Sequence, residues 1–444
     1  MKSSDPSILP SLADVIQLHF NDPDAFEEIH VVLKCKKHGP FYSLTPESVV
    51  SISDPQEASR RRTRIGSYFS RRAVLRLEDS VQKNVDKLIE RLPSYNQSVG
   101  KPANLHFAFR CTTLDIITAY LFSQDLNALN SPDYEHPCLH AADKALRGAF
   151  VLKCIPYSQW AIMKLPQFVI RLLIPSAGPQ LDQTNFLAGK VDEYTAKANT
   201  SSAEDKEKRA VFDVWLRTSE DRQDQSGSPW TATRTEIIDE CMTLQIAGSD
   251  TVGNACMIGA YHLLNRPEIL EKLQRELVEA WPDAESRMKY EALEKLPYLT
   301  AVIKESLRLS YGVVTPLPRV IGPTGAVISG QFIPPNTVVG CGAYIVHNNA
   351  SIFENPTDFI PERWIGEEAK GLEKYLLAFS KGPRICLGIN LAWCELYLIF
   401  ANVFRKLDLE IFNTTEEVLR FSDYFVPIYT HGHLKAFVKR REEL

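Results

Sequence analysis

A single cysteine within a run of small, aromatic and basic residues is the part of this sequence that points most directly to chemistry. The run is FSKGPRICLG, from Phe379 to Gly388, and a strongly apolar stretch after it predicts a long helix beginning near Cys386. A cysteine in the first turn of a helix lies near unpaired backbone N–H groups and the positive end of the dipole, which favour a thiolate. Gly388 would let a flat ligand approach the backbone, Arg384 could reach an acidic group on it, and Phe379 would shield it. Cys386 alone would be read as a buried, inert thiol, but its neighbours indicate an iron ion held by one sulfur.

A second candidate is AGSDT, residues 247–251, inside a predicted helix from about Arg234 to Leu264. Glycine in a helix interior costs roughly 0.5–1 kcal/mol relative to alanine, so Gly248 predicts a local opening of the helix where a small molecule passes. Asp250 and Thr251 place an acid beside a hydroxyl, which are the components of a proton relay. The alternative is an ordinary helix in which the threonine hydroxyl bonds back to a carbonyl of the preceding turn.

A third pattern is an acid and a base three residues apart on one face of a predicted helix. These are Glu305 and Arg308 in LPYLTAVIKESLRL, and a further arginine, Arg363, follows in FIPERW. An exposed pair at this spacing would contribute only about a few tenths of a kcal/mol.

Together these motifs resemble the cytochrome P450 family. Phe379, Gly382, Arg384, Cys386 and Gly388 match every fixed position of its haem-binding signature, F-x-x-G-x-R-x-C-x-G. The resemblance implies that the cofactor is haem b, iron protoporphyrin IX, and that Cys386 is its axial thiolate ligand. It also assigns haem contacts to Arg384, Phe379, Gly388, Arg62, Arg319 and Ala247.

The same resemblance gives roles to the other two motifs. It implies that Thr251 hydrogen-bonds dioxygen, that Asp250 helps to supply protons for O–O cleavage, and that AGSDT is the family's oxygen-activation motif. It further implies that Glu305, Arg308 and Arg363 form a buried structural lock near the loop that carries the haem ligand.

A lipophilic substrate is expected from apolar residues at positions that family members place around the haem. These residues are Ile246, Val313, Val314, Leu317 and Val426. Each one singly is better explained by core packing. An apolar pocket of this kind predicts a lipophilic substrate. The resemblance to the family's fungal members implies a terpenoid or polyketide-like intermediate of fungal secondary metabolism.

Seven arginines and no acid occupy residues 59–76, SRRRTRIGSYFSRRAVLR. With 50 Lys+Arg against 55 Asp+Glu in the whole chain and no recognition motif, a nucleic-acid partner is not expected. The alternatives are a solvated helix face and, by resemblance, a docking surface for an NADPH-cytochrome P450 reductase around Arg60–Arg76. The segment resembles the H-R-x-R-R…F-F-S stretch of filamentous-fungal members. Arg62 takes the position of their haem-propionate arginine, and Ala58 stands where a histidine would supply a second contact.

The segment before these arginines is shorter than the family pattern. HGPFYSLTPESVVSISDPQEA resembles the first strands of the family but runs almost directly into the arginine-rich helix. Family members usually have a longer loop and a short helix here that roof the substrate pocket. A more open pocket, a splice form and a shortened gene model are the alternatives.

Composition and periodicity describe the elements that must position these residues. At 44% hydrophobic and 24% charged residues the chain is an ordinary globular protein, and its nine cysteines without CxxC pairs favour a reducing compartment. Helical periodicity dominates, alternation around Ser329-Gly330 predicts a β-hairpin, and short strands follow Phe421. A short helix is predicted around residues 211–216. The expected fold is mainly α with a minor β region, in one haem-binding domain over residues 1–444: strands and a helix in 1–56, a variable helical part in 57–233 and the haem-binding core in 234–444.

The sequence therefore predicts a haem-thiolate monooxygenase that inserts one atom of O2 into a lipophilic small molecule. No GxGxxG motif is present, so electrons are expected from a separate NADPH-dependent reductase, and the protein is expected to be a monomer. The alternatives are a haem-thiolate isomerase or dehydratase that does not use O2, against which Asp250 and Thr251 argue, and a haem-binding but inactive protein. The resemblance implies the surface of the endoplasmic reticulum membrane, but the charged, proline-containing N-terminus predicts no anchor, so a soluble cytosolic protein is the alternative.

Overall fold

A long, mostly buried helix, Arg234–Leu264, is the element around which the other helices pack. The computed structural model describes residues 17–42, 44–152, 165–198, 232–367 and 369–442. The helices are α1 (Pro23–Glu27), α2 (Pro55–Gly66), α3 (Arg71–Arg91), α4 (Leu105–Phe122), α5 (Pro137–Leu152), α6 (Gln167–Leu173), α7 (Gly178–Ala198), α8 (Arg234–Leu264), α9 (Pro267–Ala280), α10 (Tyr290–Leu293), α11 (Pro297–Ser310), α12 (Ala343–His347), α13 (Ala369–Leu372) and α14 (Ile389–Lys406).

The strands are short and form small sheets at the edges of the helical body. They are β1 (Gln17–His19), β2 (Lys36–Lys37), β3 (Ala103–Asn104), β4 (Arg319–Val320), β5 (Ala326–Ile328), β6 (Gln331–Ile333), β7 (Val338–Gly340), β8 (Leu407–Ile411), β9 (Phe421–Tyr424), β10 (Val426–Tyr429) and β11 (Lys435–Arg440). One sheet has the order β1-β7-β4-β2, in which only β1 and β7 are parallel, and a second has the order β3-β11-β8. The predicted hairpin at Ser329-Gly330 is confirmed as β5-β6, and the strands after Phe421 include the hairpin β9-β10. The expected fold, mainly α with a minor β region, is confirmed.

Helix α8 begins and ends where the sequence predicts. Its first turn is closed by a capping box: the Thr233 backbone N–H donates to Glu236 Oε2 at 2.6 Å, and the Glu236 N–H donates to Thr233 Oγ1 at 3.2 Å. Apolar residues are buried on every side of the helix. This burial places α8 in the core, against α4, α11 and α14.

Gly248, the glycine of AGSDT, is explained by helix packing and not by the predicted opening of the helix. Helix α8 continues through Gly248 without interruption, so the expected local opening is wrong. A Cβ at Gly248 would lie 2.9 Å from Ile117 Cγ1, and one at Gly253 would lie 2.7 Å from Arg110 Cγ. Both glycines are needed because α4 approaches the α8 backbone too closely for a side chain.

No strand forms among the described residues between 38 and 54, where the first strands were predicted. Strand β2 ends just before them, a 3-10 turn follows at Gly39–Tyr42, and bends and turns continue to α2. The N–H groups of Glu47 and Val49 donate to the carboxylates of Asp239 and Glu240 on α8 instead of to a neighbouring strand. Side chains of α8 therefore take the hydrogen bonds that a ladder would use.

The amphipathic pattern of α3 is confirmed by burial. Val74, Val81, Val85 and Leu88 are fully buried within the main core, whereas Leu75 is only partly buried. The short helix predicted around residues 211–216 lies outside the described residues. No described helix combines the length and apolar composition that crossing a bilayer requires.

Candidate active site

A cavity of about 360 Å³ lies between α8, the loop before α14 and the hairpin β9-β10. Most of the predicted site residues line it: Cys386, Arg384, Phe379, Gly388, Arg62, Ala247, Thr251, Ile246, Val313, Leu317 and Val426. Three predicted residues are not among the lining residues: Asp250, Arg319 and Val314.

The loop that carries Cys386 is held in a fixed turn. Gly382 has a φ of 71°, and a Cβ there would collide with the carbonyl oxygen of His30, so only glycine fits. The Cys386 N–H donates to Phe379 O at 2.8 Å, which closes the turn. Helix α14 begins at Ile389, not near Cys386 as predicted. The cysteine therefore precedes the helix instead of occupying its first turn.

The surroundings of Cys386 act on its thiol in opposite directions. The side chain opens into the cavity, and burial by the surrounding protein raises the pKa of the thiol. A hydrogen bond from the Gly388 backbone and the charge of Arg62 act to lower this pKa. A metal ion bound to the sulfur would favour the thiolate.

Three basic side chains line the cavity without an ion pair to any carboxylate in the described part of the chain. Lys37 Nζ donates to Val50 O at 2.6 Å, Arg62 to Ile385 O at 2.6 Å, and Arg384 to Ile52 O at 2.8 Å. Burial, followed by the charges of Arg319, Arg384 and Arg62, lowers the pKa of Lys37 well below its usual value.

Burial and the neighbouring arginines likewise lower the pKa of Arg384 to about 10. Desolvated cations without a counter-anion are unfavourable. This side of the cavity is therefore suited to a ligand that carries acidic groups.

A haem fits this arrangement. Its two propionates would neutralise the cations of Lys37, Arg62 and Arg384, and its iron would be held by Cys386. A Cβ added to Gly388, which lines the cavity, would meet no protein atom within 4 Å. The protein itself does not require glycine there, but a flat ligand lying against that backbone would.

Two of these contacts differ from the sequence prediction. Arg319 does not line the cavity: its guanidinium donates to the Tyr42 hydroxyl at 2.7 Å, and Tyr42 is the lining residue. Lys37 was not predicted and no motif marks it. Ala58 stands where family members would have a second contact to a haem propionate, and it is fully buried. Lys37 supplies a further cation to this cavity instead.

Thr251 and Asp250 face different surroundings. Thr251 lines the cavity, and its hydroxyl donates to Ala247 O at 2.9 Å, which is the back-bonded geometry considered as the alternative. Its oxygen can still accept a hydrogen bond from the cavity side. Asp250 is buried, and Oδ1 accepts from Arg110 Nη2 at 2.7 Å and Nε at 3.0 Å.

Arg110, on α4, links Asp250 to a carboxylate nearer the surface. Its Nη2 also donates to Asp143 Oδ1 at 2.7 Å, and Asp143 is partly exposed. Among the described residues Asp250 Oδ2 has no hydrogen-bond partner, and burial raises the pKa of Asp250 against the opposing charge of Arg110. Sequence reasoning missed Arg110 and Asp143, because nothing in α4 or α5 marks them as partners of α8.

The predicted lock of Glu305, Arg308 and Arg363 is assembled. Arg308 Nη2 and Nε donate to the two Glu305 oxygens at 2.7 and 2.9 Å, and Arg363 Nε donates to Glu305 Oε1 at 3.1 Å. The Trp364 indole also donates to Glu305, at 2.8 Å. Glu305 and Arg308 are fully buried, so their charges are balanced only within this network.

His347 connects the lock to the cavity. The Arg308 carbonyl lies 2.7 Å from His347 Nδ1, and the Leu377 N–H donates to His347 Nε2 at 2.8 Å. Leu377 lines the cavity just before Phe379. The lock therefore fixes the start of the loop that carries Cys386, and neither Trp364 nor His347 was predicted.

The remaining wall of the cavity is mostly apolar. Ile246, Val313, Leu317 and Val426 lie on it as predicted, whereas Val314 is buried in the core and its N–H donates to Phe425 O at 3.1 Å. Further apolar residues that were not predicted line the same wall: Ile117, Leu146, Ala149, Phe150, Leu244 and Tyr424.

The arginine-rich segment is divided between the interior and the surface. Arg62 lines the cavity, and Arg61 pairs with Glu57 at 2.9 Å and with Glu236 at 2.5 Å. Arg71 is exposed but bound by Glu294. Three exposed arginines lack a close ion pair among the described residues. Arg72 and Arg76 have none, and Arg60 has only a 3.8 Å contact with Glu57.

Comparisons with known proteins agree with this geometry. A family model described as Cytochrome P450 matches residues 19–429. The cytochrome P450 monooxygenase flvC of Aspergillus flavus is 31% identical over 433 residues, which are 96% of this chain and 78% of that protein. The cytochrome P450 monooxygenase macH of Penicillium terrestre is 34% identical over 435 residues, 96% of this chain and 83% of that protein. The cytochrome P450 monooxygenase claJ of Penicillium crustosum is 31% identical over 420 residues, 92% of this chain and 93% of that protein.

Proposed function

This chain belongs to the cytochrome P450 family, and on that premise we propose that it is a haem b-thiolate monooxygenase of fungal secondary metabolism that acts on a lipophilic small molecule. It is an oxidoreductase that incorporates oxygen from O2, as its relatives are. The reductase and the class of substrate are the proposed parts. Lipophilic intermediates such as terpenoids or polyketides suit the apolar wall, and the relatives come from filamentous fungi.

The observation that carries the proposal is the position of Cys386. Its thiol opens into a cavity in which Lys37, Arg62 and Arg384 have no carboxylate partner in the described part of the chain. A haem needs a sulfur ligand for its iron and cations for its propionates, and this cavity offers both. Bound there, haem with a thiolate ligand supplies electron density that favours O–O cleavage.

The residues of this chain position the reaction and control its protons. Phe379 and Gly388 line the space beside the sulfur, and Ala247 leaves room on the α8 side. The Thr251 hydroxyl donates to Ala247 O, so its oxygen can accept a hydrogen bond from the cavity, and rotation of the hydroxyl would let it donate into the cavity instead. We propose Asp250 as the acid behind this helix face, with Arg110 and Asp143 leading toward the surface.

Carbon monoxide binding to the reduced protein tests the proposal. The unaltered protein should show the thiolate-type Soret band that gives the family its name, and Cys386→Ala should lose it. Cys394→Ala is the matched control, because Cys394 is buried in the core and outside the cavity lining, so the band should persist. A thiolate-type band that survives in Cys386→Ala would contradict the ligand assignment.

Oxygen dependence separates the monooxygenase from the alternatives. Rearrangement or dehydration of an organic peroxide without O2, with no oxygen atom transferred to a second molecule, would indicate the isomerase or dehydratase. A normal carbon monoxide spectrum with no O2-dependent product from any lipophilic candidate would indicate the inactive haem protein. The position of Thr251 on the cavity favours the monooxygenase, since the other two need no proton relay.

We also propose attachment to the surface of the endoplasmic reticulum membrane through helix α6. Phe168, Leu172 and Leu173 are 72%, 78% and 65% exposed on this short helix. Exposure of apolar side chains of this size to water is unfavourable, and their transfer into a lipid interface lowers the free energy. Co-sedimentation with phospholipid vesicles tests this assignment against a cytosolic protein.

A further inference from the structure

Glu240 and Glu395 are acidic side chains that line the cavity, and their surroundings differ. Glu240 accepts the Val49 N–H, and the charges of Arg61 and Arg62 act on it. Glu395, on α14, is 2% exposed, and in the described part of the chain its Oε2 has no hydrogen-bond partner and no cation acts on its carboxyl group. Because buried polar groups in folded proteins are almost always paired, the isolation of Glu395 requires an explanation.

Helix α14 places this side chain on the wall that it shares with α8. Leu391 and Ala392 precede Glu395 by four and three residues, so the three share one helix face, and all three line the cavity. The charge of Glu395 acts on the thiols of Cys256, on α8, and Cys394, on α14. The carboxyl group therefore lies at the cavity wall between the two helices.

A negative charge on Glu395 would have no partner among the described residues. Lys37, Arg62 and Arg384 also line the cavity, but none of their charges acts on this carboxyl group. A buried carboxylate without a counter-charge is strongly disfavoured relative to the neutral acid. Burial is the influence that acts on Glu395, and it raises the pKa of this carboxyl well above its usual value.

The titratable groups that face Glu395 are the two thiols, one on each helix. Burial raises the pKa of Cys256 and of Cys394, so both are neutral at ordinary pH. Arg71 and Glu78, on α3, act on Cys394 and not on Glu395, and no described charge from the other elements packed on α14 acts on Glu395. A change of charge at this wall is therefore a change at Glu395.

We propose that Glu395 tunes the affinity of the haem for electrons by remaining protonated in the resting protein. This inference rests on the proposed function, because it concerns the haem of the same site. A neutral carboxyl leaves this wall without negative charge, whereas a carboxylate there would oppose the electron that reduces the iron.

The balance of electrons and protons follows from this coupling. At neutral pH the ferric iron takes one electron from the reductase, and Glu395 exchanges no proton. At alkaline pH, where Glu395 has lost its proton, the carboxylate opposes reduction and takes up one proton as the iron becomes ferrous. The reduction potential should therefore fall once Glu395 is ionised.

Infrared spectroscopy of the haem-loaded protein tests the protonation state. The ferrous-minus-ferric difference spectrum of the unaltered protein should contain the C=O band of a carboxylic acid, and Glu395→Gln should lose it. Glu410→Gln, at an exposed position on β8, is the matched control and should keep the band. The same carboxylic-acid bands in Glu395→Gln and in the control would overturn the proposal.

Titration of the reduction potential against pH tests the consequence. At pH 7 the ratio of reduced to oxidised haem at one electrode potential should agree within about twofold between the unaltered protein and Glu395→Gln. At alkaline pH the ratio in the unaltered protein should fall about tenfold below that of the variant, the equivalent of about 59 mV. Glu240→Gln removes the other acid and should keep this alkaline fall.

Glu395→Leu is a second neutral variant whose side chain needs no hydrogen bond, so the test does not depend on the folding of Glu395→Gln. The carbon monoxide spectrum of each variant is measured first. A missing thiolate-type band in the unaltered protein would refute the proposed function. A normal band would refute the role of Glu395 alone if either neutral variant raised the potential at pH 7, or if the variants and the unaltered protein had the same pH dependence.

Discussion

Lys37 is a partly buried lysine beside three arginines, and this makes it the most informative charged residue of the cavity. It packs 4.3 Å from the Tyr42 ring centroid and has no ion pair to a described carboxylate. A propionate of the haem would supply the missing negative charge.

Replacing Lys37 should weaken the hold on the haem. We expect Lys37→Met to release haem to apomyoglobin about tenfold faster, the equivalent of about 1.4 kcal/mol, because one cation facing the propionates is lost. The haem-free variant should also melt at a higher temperature than the haem-free parent, since an unpaired buried charge is removed. Lys36→Met, at the exposed neighbouring position, is the control. Equal haem release from both variants would contradict the role of Lys37.

Thr251 is the residue whose hydroxyl should control the use of electrons. Thr251→Ala removes the hydroxyl that faces the cavity, so product formed per NADPH consumed should fall by roughly tenfold or more, with peroxide released instead. Thr251→Ser keeps the hydroxyl and should restore most of the coupling. Equal coupling in the alanine and serine variants would show that the hydroxyl has no part in proton delivery.

Residues with a motif could be predicted from sequence, and residues defined only by tertiary contacts could not. The spacing around Cys386 identified the lining residues Phe379, Arg384 and Gly388. Adjacent positions on a helix do not share a face, so the placement of Thr251 on the cavity turns Asp250 toward α4. Lys37 is far from the motif along the chain, and only the folded structure brings it to the cavity.

At the scale of elements, residues 39–42 and 44–53, which we call the cap segment, contact α8 through a hydrogen bond to a titratable group. Glu240 accepts the Val49 N–H, and burial raises its pKa to about 7. The Val49 N–H and the charges of Arg61 and Arg62 act to lower this pKa, and the charge of Asp239 acts to raise it.

This raised pKa gives stability a defined pH dependence. From about pH 4.5 to about pH 7 the unfolded chain releases the Glu240 proton while the folded protein keeps it, so the free energy of unfolding decreases as pH rises through this window. Glu240→Gln should remove this contribution. The variant should therefore gain stability relative to the parent between about pH 5 and about pH 8, measured by thermal melting.

Glu410→Gln, at an exposed position on β8, serves as the control for this measurement. If the melting temperatures of Glu240→Gln and of the parent change in parallel with pH, the pKa of Glu240 is not raised.

Elements set by local pattern were predictable, and those set by distant partners were not. Helical periodicity identifies α8, and the alternation around Ser329-Gly330 identifies the hairpin β5-β6. The cap segment was predicted as strands only from the family resemblance. Its hydrogen-bond partners, Asp239 and Glu240, are almost two hundred residues away, and no local pattern marks them.

At the scale of the whole molecule, a net charge of −5 conceals an uneven surface. Arg72 and Arg76 are exposed on α3 and have no ion pair in the described ranges. We expect this face to attract an acidic reductase, since charges of opposite sign accelerate encounter.

Reversal of these charges should slow electron delivery. Arg72→Glu with Arg76→Glu should reduce the rate of haem reduction by NADPH-cytochrome P450 reductase about tenfold at low salt. The difference should largely disappear at about 1 M salt, where the screening length is about 3 Å. Lys435→Glu with Lys439→Glu on β11 makes the same change in net charge elsewhere and should have little effect. Equal slowing in both double variants would indicate a net-charge effect in place of a docking face.

The hydrogen bonds between the cap segment and α8 also define a unit for recombination among relatives. Thr45, Glu47 and Val49 depend on Thr243, Asp239 and Glu240, although the two sets are far apart in the chain. A chimera that imports a foreign segment with another backbone path would leave the buried Glu240 carboxylate without the N–H group that donates to it. Exchange of this segment together with Asp239–Thr243 keeps donors and acceptors matched, so the unit that must be exchanged is discontinuous in the gene.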